Sequence, residues 1–154
     1  MPALLAIDLG LRSGLALFGD DGRLRWYRST NFGNRTRLRR AAFSLLRAIP
    51  ELRWLVVEGD RTLAAIWERA AQPLGARLQL VPAETWRGRL LLPREQRDGR
   101  AAKDNAGTLA RRVIQWSGAA APTSLRHDAA EAIAIGLWGV LEQGWLAALP
   151  RELA

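Results

Sequence analysis

The stretch Leu4-Leu5-Ala6-Ile7-Asp8-Leu9-Gly10-Leu11-Arg12-Ser13-Gly14-Leu15-Ala16-Leu17-Phe18 decides how the chain is read. Two apolar runs flank a short break that carries two glycines. The first run is continuous rather than alternating, the pattern of a strand buried on both faces. Gly10 and Gly14 are expected to permit a tight turn that returns the second run beside the first. Asp8 falls near the end of the buried run. A carboxylate there is costly unless it is paired, hydrogen-bonded or bound to a cation. A turn acid accepting backbone N–H groups is the plain alternative.

Working outward, Gly19-Asp20-Asp21-Gly22 is a turn signal, and residues 23–28 read as a third, half-exposed strand. The three strands form an antiparallel meander. A polar, Arg-rich loop from residue 29 runs into a helix through Leu38, Ala42, Leu45, Leu46 and Ile49, spaced for one apolar face and ended by Pro50. Residues 52–57 are a second buried strand, closed by Glu58. A helix follows over about 62–74, then a strand over 77–81. A short helix starts at Pro82, and 92–100 is the most loop-like stretch. Helices are expected over about 101–116 and 127–145, joined by small residues with Pro122. The order β-β-β-α-β-α-β-α-α-α predicts an α/β fold: a five-stranded mixed sheet, three antiparallel strands and then parallel ones, with helices on both faces. Right-handed crossovers would set the strand ending in Glu58 beside the strand carrying Asp8, and sites form at such carboxyl ends.

A chain of 154 residues, nearly half of them hydrophobic, is expected to form a single domain over 1–154. No apolar run reaches the ~20 residues of a membrane span, and the N-terminus lacks the pattern of a secretory signal. No membrane association and a cytoplasmic location are expected. With no cysteine there is no disulfide framework, thiolate metal site or thiol nucleophile. The net charge is +8, and Lys103 is the only lysine, so arginine supplies nearly all of it. A pI near 11.5 suits a chain that meets phosphate backbones.

Asp128 and Glu131 are three apart at the start of the last helix and share one face. The rest of that helix is apolar, so both acids are expected to point toward the sheet edge. Asp-x-x-Glu is also a capping box, with Asp128 as N-cap. Acids from two adjacent strands and one helix repel strongly unless cations lie between them. Four carboxylates with no soft ligand suit hard cations such as Mg²⁺ or Mn²⁺. Two such ions per site can activate water and stabilise the leaving oxygen in phosphodiester cleavage.

Ile7-Asp8-Leu9-Gly10, Val56-Val57-Glu58 and His127-Asp128-Ala129-Ala130-Glu131-Ala132, in that order and spacing, resemble the RuvC-type Holliday junction resolvases of the RNase H-like superfamily. The resemblance implies that Asp8, Glu58, Asp128 and Glu131 match the family's four metal-binding acids. It also implies that Lys103 stands like a family lysine that contacts the scissile region. Leu9 replaces the common proline, and Glu131 replaces an aspartate. The activity implied is a structure-selective endodeoxyribonuclease that resolves four-way DNA junctions in recombination and repair. Symmetric resolution needs two active sites, so a homodimer is expected.

Arg61, Arg87, Arg94, Arg97, Arg100 and Lys103 are the expected phosphate contacts. Trp26 and Trp86 lie near arginines and are candidates to stack on bases or fill an interface, whereas Trp54, Trp67 and Trp138 have core spacings. His127 either helps at the site or caps locally. Three other readings compete: an RNase H-like nuclease acting on other branched DNA or on RNA, a non-catalytic junction-binding module, and an actin-like ATPase. The last is suggested by Asp-Leu-Gly-x-x-x-Gly, but that fold needs two such domains and a second phosphate loop.

Overall fold

The computed structural model describes the backbone of residues 1–154 and every side chain except that of residue 96. The strands are β1 (Ala3–Asp8), β2 (Arg12–Gly19), β3 (Leu24–Asn31), β4 (Leu52–Glu58) and β5 (Arg77–Leu80). The helices are α1 (Arg35–Arg47), α2 (Arg61–Ala71), α3 (Ala83–Leu90), α4 (Gly99–Ser117) and α5 (His127–Glu142). The sheet order is β3-β2-β1-β4-β5. The first three strands pair antiparallel, while β1–β4 and β4–β5 pair parallel. This is the expected five-stranded mixed sheet.

Alternation along β1 and β4 distributes the core to two layers, because successive side chains leave opposite faces of a sheet. Leu5, Ile7, Leu55 and Val57 pack with Leu38, Leu46 and Trp67 under α1 and α2. Leu4, Ala6 and Val56 pack on the other face with Ile133, Leu137 and other residues of α4 and α5. Both faces are apolar, which is why the sequence reads as unbroken runs. The parallel register pairs Ala6 with Val56 and Asp8 with Glu58. The two acids therefore continue the parity that faces α5.

Helix α5 is buried from Ala129 to Leu141. It crosses the sheet closely at its first turn, where a Cβ on Gly14 would run into the Asp128 carbonyl. Gly14 lies inside β2 and does not take a positive φ. Its missing side chain thus serves the approach of α5 rather than the turn expected of it. Gly59 is different: it holds φ +135° just after Glu58, where its own Cβ position nears Leu9.

Element boundaries shift modestly from the sequence reading. Asp98 accepts from the Ala101 N–H (2.8 Å) and starts α4 at Gly99. Residues 92–100 are not simply a loop: Pro93–Gln96 is a 3₁₀ turn in which the Glu95 carboxylate accepts from the Leu92 N–H at 2.8 Å. Helix α5 ends at Glu142 rather than at residue 145. Trp67 and Trp138 are core residues and Trp54 packs at its margin.

Candidate metal centre

The C-terminal edge of β1 and β4 is where the acids meet. Carboxylate oxygens of Asp8, Glu58 and Glu131 all lie within 4.8 Å of one another. Asp8 and Glu58 come from neighbouring strand ends at matched register, and Glu131 comes from the second turn of α5. Glu131 and Ser13 are the buried polar side chains among the described residues. Three carboxylates this close together, with no nitrogen or sulfur donor among them, fit a hard divalent ion such as Mg²⁺ or Mn²⁺.

The electrostatics point the same way. Burial above all, with Glu131, Glu58 and Asp128 acting in the same direction against a smaller pull from Lys103, pushes the Asp8 carboxyl up to about 8. Burial also raises Glu58, with Glu131 adding to it and Arg87 opposing. Without a counter-cation these acids hold protons that free carboxylates release. A divalent ion removes that penalty directly.

Asp128 stands beside this trio rather than inside it. Its Oδ2 accepts from the Ser29 hydroxyl at 2.9 Å and its Oδ1 from the Ala129 N–H at 2.7 Å. The capping-box alternative is not what forms: the N-cap is Arg126, which makes no side-chain cap bond, and Asp128 lies inside the first turn. There its charge suits the positive end of the helix. Ser29 reaches it because β3 pairs Ser29 with Gly14, the residue over which α5 passes.

Helix α3 closes the back of the site with two consecutive side chains. The Arg87 guanidinium donates to Glu131 Oε1 at 3.1 Å and lies over the Trp86 ring, 5.2 Å from its centroid. Trp86 is fully buried, which corrects the expectation that it stacks on bases or fills an interface. Its indole N–H favours the Glu58 carboxylate by proximity but closes no proper hydrogen bond, and Arg87 Nε is likewise buried without a partner. Arg87, expected at a phosphate, is thus turned inward to an acid.

In front of the acids an open cavity of about 370 Å³ is lined by Asp8, Asp128, Glu131, Lys103, Arg12, Arg126 and His127. Lys103 arrives from the first turns of α4 and lines the same cavity as Asp8. Arg61, Arg94, Arg97 and Arg100 are exposed and stand outside this cavity. Trp26 is half-buried and carries the Arg28 guanidinium 4.3 Å over its ring. Arg12, Arg126 and Ser29 escaped the sequence reading. Arg126 was legible beside His127, but Arg12 and Ser29 lie in a hairpin and on an outer strand with no motif around them.

The chain folds as a five-stranded mixed sheet flanked by helices, with a cluster of carboxylates at the carboxyl ends of two parallel strands. Among solved structures it aligns with T. thermophilus RuvC in complex with Holliday junction substrate, at a TM-score of 0.66 and 16% identity, over 94% of this chain and 96% of that one. No family model and no curated protein matches the sequence. The likeness is one of fold. No helix among the described residues is long and apolar enough to cross a membrane.

Proposed function

We propose that this chain is a divalent-metal-dependent endonuclease that resolves four-way DNA junctions during recombination and repair. The observation that carries the reading is the convergence of Asp8, Glu58 and Glu131 within 4.8 Å, on a fold shared with a protein captured on a Holliday junction. Bound Mg²⁺ or Mn²⁺ would supply an activated water and stabilise the leaving 3′ oxygen. Asp8, Glu58 and Glu131 are the ligands for one ion, and Asp128 is the acid left for a second. Lys103 reaches the scissile phosphate and offsets charge as it develops. Arg61, Arg94, Arg97 and Arg100 hold flanking phosphates from outside the cavity, so affinity falls with salt. Arg87 is assigned to Glu131 and not to DNA. Two copies are needed to cut two strands symmetrically, so the working form is a homodimer, acting in the cytoplasm.

The test is single-turnover cleavage of a labelled four-way junction, a linear duplex and an RNA–DNA hybrid, each with Mg²⁺ and with Mn²⁺. Paired nicks confined to the junction are expected. Asp8→Asn should abolish them and still shift the junction in a gel. Preferred cutting of the hybrid would move the activity to RNA, and tight junction binding with no cleavage of anything would make the chain a binding module.

A further inference from the structure

Helix α1 carries Arg35, Arg37, Arg39, Arg40 and Arg47 and no acid. Thirteen residues thus hold +5 in a chain whose net charge is +8. Arg35, Arg37, Arg39 and Arg40 are all exposed, and none forms an ion pair among the described residues. Helix stability does not explain them. Arg35–Arg39 at i,i+4 and Arg37–Arg40 at i,i+3 are like-charge neighbours, which repel. Cations in the first turns also oppose the helix dipole.

Topology explains where this charge goes. β3 runs in the same direction as β1, two antiparallel steps away, so α1 starts at the sheet edge that holds the acids. The Phe32 N–H donates to the Leu11 carbonyl at 2.7 Å, which ties the entry of α1 to the turn just before Arg12, the first residue of β2. Arg12 lines the acidic cavity. On the other side Arg35 is near Asp60, the residue that caps α2 just before Arg61. The first turns of α1 therefore stand at the same edge of the sheet as the cavity, in the helical layer opposite α4 and α5. Arg35 to Arg40 covers about 7.5 Å of helix axis, about two phosphates of one strand at ~3.4 Å rise each.

We propose that the exposed arginines of α1 form a second phosphate-binding rim, which holds a duplex arm of the nucleic acid on the side of the active edge away from Lys103 and the 94–100 arginines. The inference rests on the nucleic-acid reading above and adds a surface which that reading leaves out. Charge complementarity selects the occupant: a run of unpaired guanidinium groups beside a phosphodiester site suits a polyanionic backbone.

The test replaces Arg35, Arg37, Arg39 and Arg40 together by Gln and measures binding of a fluorescent four-way junction against salt in EDTA. Release of about two phosphates should make the log–log salt slope shallower by roughly 1.8. The difference should vanish on a junction whose arms are trimmed to a few base pairs, and the cleavage rate at saturating protein with Mg²⁺ should stay that of wild type. An unchanged slope and affinity on long arms overturns the rim and leaves the surface to an acidic protein or to no partner. If the quadruple variant fails to fold, Arg37→Gln/Arg40→Gln should give about half the shift, and no shift there overturns the proposal equally. A wild type that binds junctions no better than linear duplex would sink junction resolution, while a slope change persisting on the duplex would still support the rim. A wild type that binds neither sinks both.

Discussion

The Arg87 guanidinium donates to the Glu131 carboxylate at 3.1 Å, and it is the one basic side chain paired with the acid cluster among the described residues. It stands where the cluster is most buried, with Glu131 only 9% exposed at its side chain. Arg87 thus offsets part of the charge that a divalent ion would offset more fully. Arg87→Met keeps the apolar stem and removes that offset. Breaking a fully buried pair costs about 3–5 kcal/mol, and partial exposure of Arg87 brings the expectation to about 1–3 kcal/mol. The loss should show in thermal unfolding in EDTA and shrink when Mg²⁺ is added, so the variant gains more from the metal than wild type does. Equal gains would reduce Arg87 to a packing residue.

The raised Asp8 carboxyl sets a pH dependence for the metal-free protein. Its folded value, about 8, exceeds the ordinary 3.8. The fold therefore binds this proton more tightly than the unfolded chain does. The associated stability is fully present below the unfolded value and is lost as pH rises from about 4 to about 8. Unfolding in EDTA should show a protein more stable at pH 5 than at pH 8, by an amount on the order of a few kcal/mol. Asp8→Asn should flatten that profile. With saturating Mg²⁺ the wild-type profile should flatten too, because the ion binds the deprotonated acids. A wild-type profile in EDTA that rises from pH 5 to pH 8 would contradict the assignment.

At Gly14 the backbone of α5 passes directly over the sheet. Adding a Cβ there forces the Asp128 backbone outward. Gly14→Ala should destabilise by about 1–3 kcal/mol, as overpacking does, and should also weaken Mg²⁺ binding by displacing Asp128 and Glu131 together. Titration of metal binding by calorimetry separates the two effects. Reduced stability with unchanged metal affinity would show that the acids tolerate the shift of their helix.

Lys103 and the arginines at 94, 97 and 100 should divide the labour between rate and grip. Lys103 faces the acids, whereas those arginines are exposed beyond the cavity. Lys103→Ala should lower the single-turnover rate on a four-way junction more than the affinity. The triple Arg→Ala change should do the reverse and flatten the salt slope by about 0.9 for each phosphate no longer neutralised. Wild-type rate and salt slope in both variants would make these residues a solvated surface.

The sequence alone determined the sheet and the acids. Continuous apolar runs that end in Asp8 and Glu58, separated by a two-strand meander and one helix, leave few ways to arrange two parallel strands. The helix that opens Asp128-x-x-Glu131 was apolar enough to require packing against them. Period and topology are local or nearly local properties, so they survive in one dimension. Tertiary structure alone decided which way the polar groups turn. Arg87 and Arg94 look alike in sequence, yet one pairs with a buried carboxylate and the other faces solvent. Trp86 looked like a stacking surface but lies sealed in the core, and Gly14 looked like a turn residue but makes room for a helix from the far end of the chain. Asp128 had the spacing of a cap, but the helix is capped two residues earlier, at Arg126, which leaves the Asp128 carboxylate to Ser29. Each of these outcomes depends on a neighbour tens of residues distant, and no pattern within a short window encodes which neighbour arrives.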